Sequence, residues 1–284
     1  MDLRALKIFQ SVAHHLSFSK AAAELNYAQS NVTLKIQQLE NSLQTTLFHR
    51  HNRGVILTEK GKELLIYANK ISQLIEETYE VMQDSQKPRS PLRIGSMETT
   101  AAIRLPPLLT KYHTTYPNVD LTLCTGTTEQ NISDVLHHQL DGAFVSDPEN
   151  HPDLEKVISF EEELVLVTNL QEPPFKKLSE IKNQTILVFR SGCSYRANLE
   201  SWFRTEHIIP NKIMEFGTLD AIIGCVTAGL GISLLPYSVI AKHVNEKQLN
   251  YYPIPRTYGI VKTFFVYRTD KYINSSLKSF LNLL

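Results

Sequence analysis

The sequence predicts three successive parts: an N-terminal winged helix-turn-helix, a long linker helix, and a C-terminal α/β domain. Three observations lead to this fold class. Apolar residues recur at helical spacing over the first 43 residues, a proline-free segment occupies residues 59–84, and short apolar strands alternate with helical stretches from Leu92 onward. Helical spacing indicates amphipathic helices, and strand–helix alternation is typical of α/β units with mainly parallel sheets.

The N-terminal part contains three predicted helices, and the second and third are joined by a turn of about three residues. Helices are predicted over residues 3–13, 20–25 and 29–43. Ser17 and Ser19 precede the second helix, and either is suited to cap it. In the third helix, Val32, Ile36 and Leu39 repeat at helical spacing on one face. This arrangement is a helix-turn-helix, whose second helix enters the DNA major groove.

Polar and basic side chains on and around the third helix are the candidate DNA contacts. Gln and Asn make bidentate bonds to adenine, Ser and Thr reach bases or phosphates, and Arg suits phosphate or minor-groove contact. The segment 47–58 is predicted to form a two-stranded wing around an Asn-Arg-Gly turn. The alternative is a small helical bundle with a solvated polar face. The candidates are Ser19, Gln29, Ser30, Asn31, Thr33, Lys35, Gln37, Arg50 and Arg53.

The charge distribution distinguishes the two ends of the chain. The 284 residues carry 29 Lys and Arg against 29 Asp and Glu, so the net charge is zero. Residues 1–62 hold eight Lys and Arg against four Asp and Glu, a net charge of +4. The remainder therefore carries −4. A basic N-terminal part on an acidic remainder favours a nucleic-acid-binding module at that end.

Cysteine usage and hydropathy narrow the class of protein further. The three cysteines form no CxxC pair, which argues against a disulfide framework and a structural zinc site. No apolar run approaches the length of a membrane span, and the N-terminus has no apolar signal core. We therefore expect a cytoplasmic protein without cofactor or metal and without membrane contact.

The segment after the wing is predicted to form a long helix. Thr58 is a suitable N-cap, with Glu59 in the first turn. A heptad-like seam is predicted along one face, with hinge residues following at 86–91. The alternative is an amphipathic helix packed on its own domain. The seam comprises Leu64, Ala68, Ile71, Ile75, Thr78 and Met82.

The C-terminal part contains eight predicted strands separated by helices, the first helix spanning 99–116. The strands are predicted at 92–96, 120–126, 141–146, 163–169, 185–192, 212–217, 231–236 and 261–268. Gly229 and Gly231 follow a helix and precede a strand, which is the reverse of a dinucleotide-binding loop, so they indicate helix C-capping.

Loops after four of these strands are rich in hydroxyl groups just before helix N-termini. Ligands of open α/β sheets bind beyond the carboxyl ends of strands, and free N–H groups there favour a small anion or carboxylate. The same residues also serve as ordinary helix caps. Glu98 is expected to favour an amine, or to pair with Arg196 or Arg104. The candidate effector-binding residues are Ser96, Met97, Glu98, Thr99, Thr127, Thr128, Cys193, Arg196 and Thr218.

The first sixty residues closely resemble the DNA-binding domain of LysR-type transcriptional regulators. The resemblance rests on the stretch AAAELNYAQSNVTLKIQQLENSLQTTLFHR followed by LTEKG, and residues 215–236 also resemble the family. Two positions depart from the family pattern. Ala28 stands where a hydroxyl usually caps the recognition helix, and Leu34 stands where Arg is frequent, with the cation one residue later at Lys35.

The resemblance implies two Rossmann-like lobes of periplasmic-binding-protein type, joined by crossing strands near 161–168 and 262–268. It also implies a homodimer or homotetramer on a near-palindromic double-stranded promoter site, with a small-molecule effector between the lobes. The domain boundaries implied are 1–58 for the DNA-binding domain, 59–90 for the linker, and 91–284 for the effector domain. Lobe I would span 91–161 and 268–284, and lobe II 162–267.

Four other classes of function fit the sequence less well than a DNA-binding regulator does. A solute-type binding protein without DNA function would not need the basic N-terminal module. A thiol redox-sensing regulator would use Cys193 and Cys225 as a reversible disulfide, although buried inert thiols are more common. An enzyme is disfavoured because no GxSxG, P-loop or HExxH motif is present. A metal sensor is disfavoured because the histidines are spread over separate elements.

Overall fold

A computed structural model describes residues 2–51, 54–83, 88–172, 175, 178–269 and 273–284. The chain divides into two compact units. One comprises Met1–Asp84 with His137–Gln139, and the other comprises Ser85–Leu136 with Leu140–Leu284. No helix among the described residues is long and apolar enough to cross a membrane.

Three short helices build the core of the first unit. They are α1 (Leu3–His15), α2 (Phe18–Leu25) and α3 (Gln29–Leu43), and the predicted bounds of α3 are confirmed. Ser17 caps α2 by accepting a hydrogen bond from the Lys20 backbone N–H at 3.4 Å. Asn26 ends α2 in the left-handed region at φ 56°, which Asn tolerates better than most residues. Phe9, Val12 and Ile36 are fully buried between the helices.

A two-stranded antiparallel wing follows, formed by β1 (Phe48–His51) and β2 (Gly54–Leu57). The Glu40 carboxylate connects it to α3, since it accepts hydrogen bonds from the N–H groups of Leu47 at 2.7 Å and Phe48 at 3.3 Å. Leu47 itself is fully buried in the helical core. The wing therefore starts at a position set by α3.

The linker helix α4 (Glu59–Gln83) is as long as predicted, but part of its predicted apolar seam packs on its own domain. Thr58 caps the helix, because its Oγ1 accepts from the Gly61 N–H at 2.9 Å. Ala68 is fully buried, and Leu64 and Ile71 pack against the core of the three short helices. The predicted seam is wrong at Ala68, because that side of α4 closes its own domain.

The first half of the second unit is an α/β layer around a mixed sheet. Its elements are β3 (Leu92–Ser96), α5 (Glu98–Ile103), α6 (Leu105–Thr115), β4 (Leu121–Thr125), α7 (Thr128–Leu136) and β5 (Gly142–Ser146). The single helix predicted over 99–116 is two helices that meet at Arg104. Pro106 and Pro107 follow, and they cannot donate the backbone hydrogen bonds that would continue α5.

A 16-residue strand, β6 (Leu154–Asn169), crosses from one lobe to the other. Residues 154–163 pair with β11 (Ile260–Arg268), which also pairs with β5. Residues 164–167 pair with β9 (Ile232–Pro236) in the second lobe. The crossing strands implied by the resemblance are therefore present, although β6 begins earlier than the predicted strand at 163.

The second lobe has helices on both faces of its sheet. Its further elements are β7 (Thr185–Phe189), α8 (Ser194–Thr205), β8 (Lys212–Phe216), α9 (Leu219–Thr227), α10 (Tyr237–Asn245), β10 (Leu249–Pro253) and α11 (Arg256–Gly259). A 3₁₀ helix precedes β7 at Leu178–Asn183, and α12 (Ser275–Leu281) closes the first lobe, where Phe280 is buried. Alternate residues of β6 enter separate cores, Leu164 and Leu166 in one and Val165 and Val167 in the other.

Of the two glycines after α9, Gly229 caps that helix. Gly229 has φ +81°, and the Leu230 N–H bonds back to the Cys225 carbonyl at 3.0 Å, which is the pattern of a glycine-terminated helix. The reading of this segment as a helix C-cap instead of a dinucleotide loop is confirmed. The strand β10 and helix α11 were not predicted from the sequence.

The recognition helix α3 lacks an N-cap hydrogen bond, which offers a direct test of its local energetics. Ala28 has the extended backbone of an N-cap residue, at φ −68° and ψ 139°, but no side-chain acceptor. We expect Ala28→Ser to stabilise α3 by about 1 kcal/mol and to slow amide exchange within it roughly fivefold. Hydrogen-exchange mass spectrometry of the α3 peptide measures this. Ala28→Val, which adds no acceptor, serves as the control, and an equal slowing in both variants would contradict the capping argument.

Candidate functional site

The outer face of α3 carries most of the candidate DNA contacts. Val32, Ile36 and Leu39 face the core, so the residues between them point outward or lie at the flanks. Four of the predicted contacts are exposed and two are half-buried. The exposed ones are Gln29, Ser30, Asn31 and Gln37, and the half-buried ones are Thr33 and Lys35. The fold therefore brings this set onto one helix surface, with Thr33 and Lys35 at its edges.

Leu34 is an apolar residue in the middle of this polar face. Its side chain is 51% exposed, between Ser30 and Gln37 on the helix surface. An apolar side chain at such a place suits contact with a thymine methyl group. The sequence showed Leu34 only as a departure from the family pattern, and not as a candidate contact.

The remaining candidates lie at α2 and the wing. Ser19 is exposed in the first turn of α2, with its Oγ 3.1 Å from the Ser17 Oγ. Arg50 is exposed on β1, and its guanidinium carbon lies 5.0 Å from the centre of the Phe18 ring. Arg53 lies outside the described residues.

Cations on this surface are available to an outside partner. The ion pairs described within the unit include His15 with Glu24 and the two lysines of the first turn of α4 with Glu59 and Glu63. Among the residues that the structure describes, neither Lys35 nor Arg50 has a carboxylate within 4.0 Å. An unpaired Lys or Arg on an exposed surface is the kind of group that neutralises a phosphate.

A cavity of about 240 Å³ opens between the two lobes of the second unit. It lies at the carboxyl ends of β3 and β4 in one lobe and of β7 and β8 in the other, as the rule for open α/β sheets predicts. Its walls are hydroxyl-bearing and aromatic, with one acidic and one basic side chain. The lining residues are Met97, Glu98, Thr99, Thr125, Gly126, Thr127, Thr128, Phe189, Arg190, Cys193, Ser194, Tyr195, Phe216 and Gly217.

Six of the nine effector-binding candidates line this cavity, and three do not. Ser96 is fully buried, and its hydroxyl bonds to the Met97 carbonyl at 2.9 Å. Arg196 forms ion pairs with Glu200 and Glu215, both at 2.7 Å. Thr218 caps α9 by accepting from the Ala221 N–H at 3.4 Å. The fold therefore separates these three from the group.

Glu98 bonds to the opposite lobe, but not to either of the arginines predicted for it. Its Oε1 accepts a hydrogen bond at 2.9 Å from the N–H of Leu219, the first residue of α9. Arg196 forms ion pairs with Glu200 and Glu215 instead, and Arg104 forms one with Glu162 at 2.6 Å. The predicted ion pair is wrong because the N-terminus of α9 supplies the positive potential that this carboxylate needs.

Two further contacts connect the lobes around the cavity. The Thr99 hydroxyl lies 3.0 Å from the Tyr195 hydroxyl. Burial raises the pKa of Tyr195 further above its ordinary value, and the contact joins two neutral hydroxyl groups. Glu162, buried on β6, accepts from Arg104 and also from the Ser238 hydroxyl at 2.7 Å. The Thr99–Tyr195 contact borders the cavity, whereas Glu162 connects the lobes through residues that are not part of its lining.

Sequence reasoning missed several lining residues that only the folded lobes bring to the cavity. Arg190 is the residue after β7, at a position that was predicted to lie within the strand at 185–192. Its guanidinium lies against Gly217, where an added Cβ would be 3.1 Å from Nη2. Phe189, Tyr195 and Phe216 supply aromatic walls. Phe189 and Phe216 are the last residues of β7 and β8, and that strand-end position was the available signal for both. Tyr195 lies in the first turn of α8.

Cys193 lies at the N-terminus of α8 and lines the cavity, but it lacks the character of a reactive thiol. Burial raises its pKa, outweighing the backbone N–H groups and Arg196 that favour the thiolate. The three cysteines are free. Reactive sensor cysteines have lowered pKa values, so the redox alternative with Cys193 and Cys225 gains no support from the geometry. Among the described residues there is no group of three or more potential metal ligands.

Family models match both parts of the chain. A model described as "Bacterial regulatory helix-turn-helix protein, lysR family" matches residues 3–62. A second, described as "LysR substrate binding domain", matches residues 85–284. The two matches join the helical unit and the two-lobed unit in a single family architecture.

Curated relatives and solved structures are similar over almost the whole chain. The transcriptional regulator GltR of Bacillus subtilis (strain 168) is 53% identical over 281 residues, 99% of this chain and 95% of that protein. SoxR of Arthrobacter sp. (strain TE1826) is 46% identical over 100% of this chain and 96% of its own length. Full-length OxyR from Pseudomonas aeruginosa has a TM-score of 0.73 at 20% identity, covering 100% and 93% of the two chains. CbnR complexed with its target DNA has a TM-score of 0.56 at 24% identity, covering 100% and 98%.

The burial of Cys193 predicts an order of thiol reactivity. Because the thiolate is the reacting form, we expect iodoacetamide at neutral pH to modify the exposed Cys124 first and Cys193 much more slowly. Peptide mass spectrometry of the native full chain over time measures both, with Cys124 as the internal control. If Cys193 reacts as fast as Cys124, the thiol is activated and the redox alternative returns.

Proposed function

The chain belongs to the LysR family of bacterial helix-turn-helix regulators, and from this premise we propose how it acts. It binds double-stranded promoter DNA through α3 and the wing, and it responds to a small molecule held between the lobes of its C-terminal domain. The observation that carries the DNA-binding part is the outward polar face of α3, together with the exposed Arg50, which has no ion pair among the described residues. It acts by binding and not by catalysis, in the cytoplasm where the chromosome is.

Roles within the DNA-binding surface follow from the chemistry of each side chain. Gln29, at the start of α3, reads a base edge, since the N-terminal residues of a recognition helix lie deepest in the major groove. Leu34 contacts a thymine methyl group. Arg50 contacts phosphate and contributes affinity without sequence information. Arg53 keeps the phosphate or minor-groove role that the sequence predicts for it.

The effector site that we propose comprises the cavity-lining residues and excludes Ser96, Arg196 and Thr218. Met97, Glu98, Thr99, Thr127, Thr128 and Cys193 remain from the sequence-based set, joined by Arg190, Ser194 and Tyr195. We further propose the boundaries 1–58, 59–90 and 91–284 for the DNA-binding domain, the linker and the effector domain. Lobe I comprises about 91–161 and 268–284, and lobe II about 162–267.

Two subunits pair through α4, and we propose a shifted seam for this contact. Tyr67, Leu74 and Met82 are 65%, 54% and 77% exposed, which is unusual for large apolar side chains. Tyr67 and Leu74 are seven residues apart and Thr78 follows four residues later, which matches the seven-residue repeat of a coiled-coil seam. Paired subunits would present two copies of α3 to the two halves of a near-palindromic site. A homodimer, or a homotetramer of two such pairs, follows.

Separate mutations should distinguish base reading from phosphate contact. Binding sites are first selected from a random duplex library with the full chain, and affinities are then measured by gel shift over a range of salt. We expect Gln29→Ala to reduce discrimination at one base position by about 1–3 kcal/mol. Arg50→Ala should weaken all sequences alike and reduce the salt slope by about one.

Two exposed residues of the C-terminal unit supply matched controls for this experiment. Gln171→Ala and Arg204→Gln remove the same types of side chain far along the chain from α3. Both should leave affinity and site preference unchanged. Absence of salt-sensitive DNA binding by the unmodified chain would overturn the proposed function. A change of site choice in Arg50→Ala, with total affinity intact, would reverse the role assignment.

The shifted seam predicts which substitution on α4 separates the subunits. An aspartate at position 74 would bury a charge in the paired interface, so we expect Leu74→Asp to raise the dissociation constant of the pair by at least about tenfold. Analytical ultracentrifugation measures it. Tyr79 is as exposed as Tyr67, but it lies roughly 120° around the helix from the seam. Tyr79→Asp should therefore have little effect, and dissociation by both variants alike would contradict the assignment.

A further inference from the structure

The Arg50 guanidinium lies beside an aromatic ring and not beside a carboxylate. Its central carbon is 5.0 Å from the centre of the Phe18 ring, and no carboxylate among the described residues lies within 4.0 Å of it. Arg196, in the second unit, forms ion pairs with Glu200 and Glu215, both at 2.7 Å. The chain therefore holds these two arginine side chains in chemically different ways.

This difference decides how much of the arginine remains available to DNA. A carboxylate neutralises a guanidinium, occupies its N–H groups and repels a nearby phosphate. The face of an aromatic ring attracts the cation through its quadrupole, but it brings neither a net charge nor an acceptor oxygen. A guanidinium against a ring is therefore oriented and still able to bind a phosphate through two N–H···O bonds.

The alternation of strand β1 places this arginine next to the ring. Successive side chains of a strand point to opposite faces, so Phe48 and Arg50 share one face of β1. Phe48 is buried, and its ring centre lies 5.3 Å from that of Phe9 and 6.0 Å from that of Phe18. Phe18 is half-buried and packs against this core. The ring is therefore held by the core of the domain, while the cation beside it is exposed.

A backbone hydrogen bond fixes the wing to the turn that precedes α2. Val55 is the partner of Arg50 in the β1–β2 register, and its N–H donates to the Leu16 carbonyl at 3.2 Å. The wing approaches this carbonyl so closely that a Cβ added at Gly54 would lie 2.9 Å from the oxygen. Leu16 comes just before the N-cap of α2, and Phe18 just after it. The backbones of Phe18 and Arg50 are thus fixed relative to each other, and the Arg50 side chain is what remains to be ordered.

From these observations we propose that Phe18 is a positioning residue for DNA binding: its ring holds the Arg50 guanidinium in the orientation in which it binds a backbone phosphate. A long exposed side chain loses rotamer freedom when it binds, and this entropic cost is smaller where the free protein already favours the bound orientation. The contribution is independent of base sequence, since a phosphate contact carries no sequence information. The inference rests on the proposed function, in which Arg50 contacts phosphate.

Fluorination of the Phe18 ring tests the electrostatic contact with little change in shape. Fluorine withdraws electron density from the ring face, so each added fluorine weakens the attraction for a cation. The full chain is prepared with phenylalanine or its monofluoro, difluoro or trifluoro derivative at this position, and its affinity for selected DNA is measured by fluorescence anisotropy at fixed salt. We expect the affinity to fall stepwise, by about two- to fivefold for the trifluoro ring. An affinity that stays constant across the series would overturn the inference.

Two controls assign the loss to the contact with Arg50. In the Arg50→Ala chain the trifluoro ring should change the affinity by no more than about 1.5-fold, because the contact is already absent. The same replacement at Phe264, whose ring centre lies 5.4 Å from the Lys156 Nζ in the second unit, should leave DNA affinity unchanged. An equal loss in the original and the Arg50→Ala chains would contradict the inference, since Phe18 would then act through packing in the core.

Site selection with the trifluoro chain provides an independent readout. Because phosphates carry no sequence information, the preferred site should be unchanged and all sequences should be weakened alike. A changed preference at any base pair would overturn the positioning role, because the ring would then act on the base-reading helix α3.

Two further outcomes separate failure of this inference from failure of the proposed function. If the unmodified chain binds DNA with salt dependence and Arg50→Ala weakens that binding, while fluorination has no effect, the proposed function stands and the role of Phe18 is wrong. If the unmodified chain shows no salt-sensitive DNA binding, the proposed function fails and the inference fails with it.

Discussion

The effector domain depends on one constraint, namely that a single strand serves two sheets. Residues 154–163 of β6 pair with β11 in the first lobe, and residues 164–167 pair with β9 in the second. The lobes therefore share a continuous hydrogen-bonded backbone. The carboxyl ends of β3, β4, β7 and β8 all border one cavity, and loops distant in sequence become its walls.

Contacts between the lobes combine with this shared strand to define the chemistry of the cavity. Glu98 accepts a hydrogen bond at the N-terminus of α9, and the Thr99–Tyr195 contact joins two hydroxyl groups. The Arg190 guanidinium also lines the cavity. The cavity is therefore polar at contacts that come from both lobes.

The linker helix shows why periodicity predicts a helix better than it predicts a partner. The pattern identified α4 and its N-cap Thr58 correctly, since both depend on neighbours along the chain. It did not distinguish the face that packs on the helix's own domain from the face left exposed. Ala68 is buried by α1–α3, while Tyr67, one residue earlier, is exposed. Either face satisfies a heptad spacing, and only the three-dimensional core decides between them.

The sequence by itself determined the family, the bounds of α3, most of the strand–helix order of the lobes and the loops where a ligand would bind. These features depend on local spacing, capping and strand-end position, all of which are readable along the chain. The tertiary structure alone decided that Glu98 bonds to Leu219, that Arg190 and Tyr195 line the cavity, and that Ser96 and Arg196 do not. Those outcomes depend on which residues from different lobes come within hydrogen-bond distance, and a linear pattern does not contain that distance.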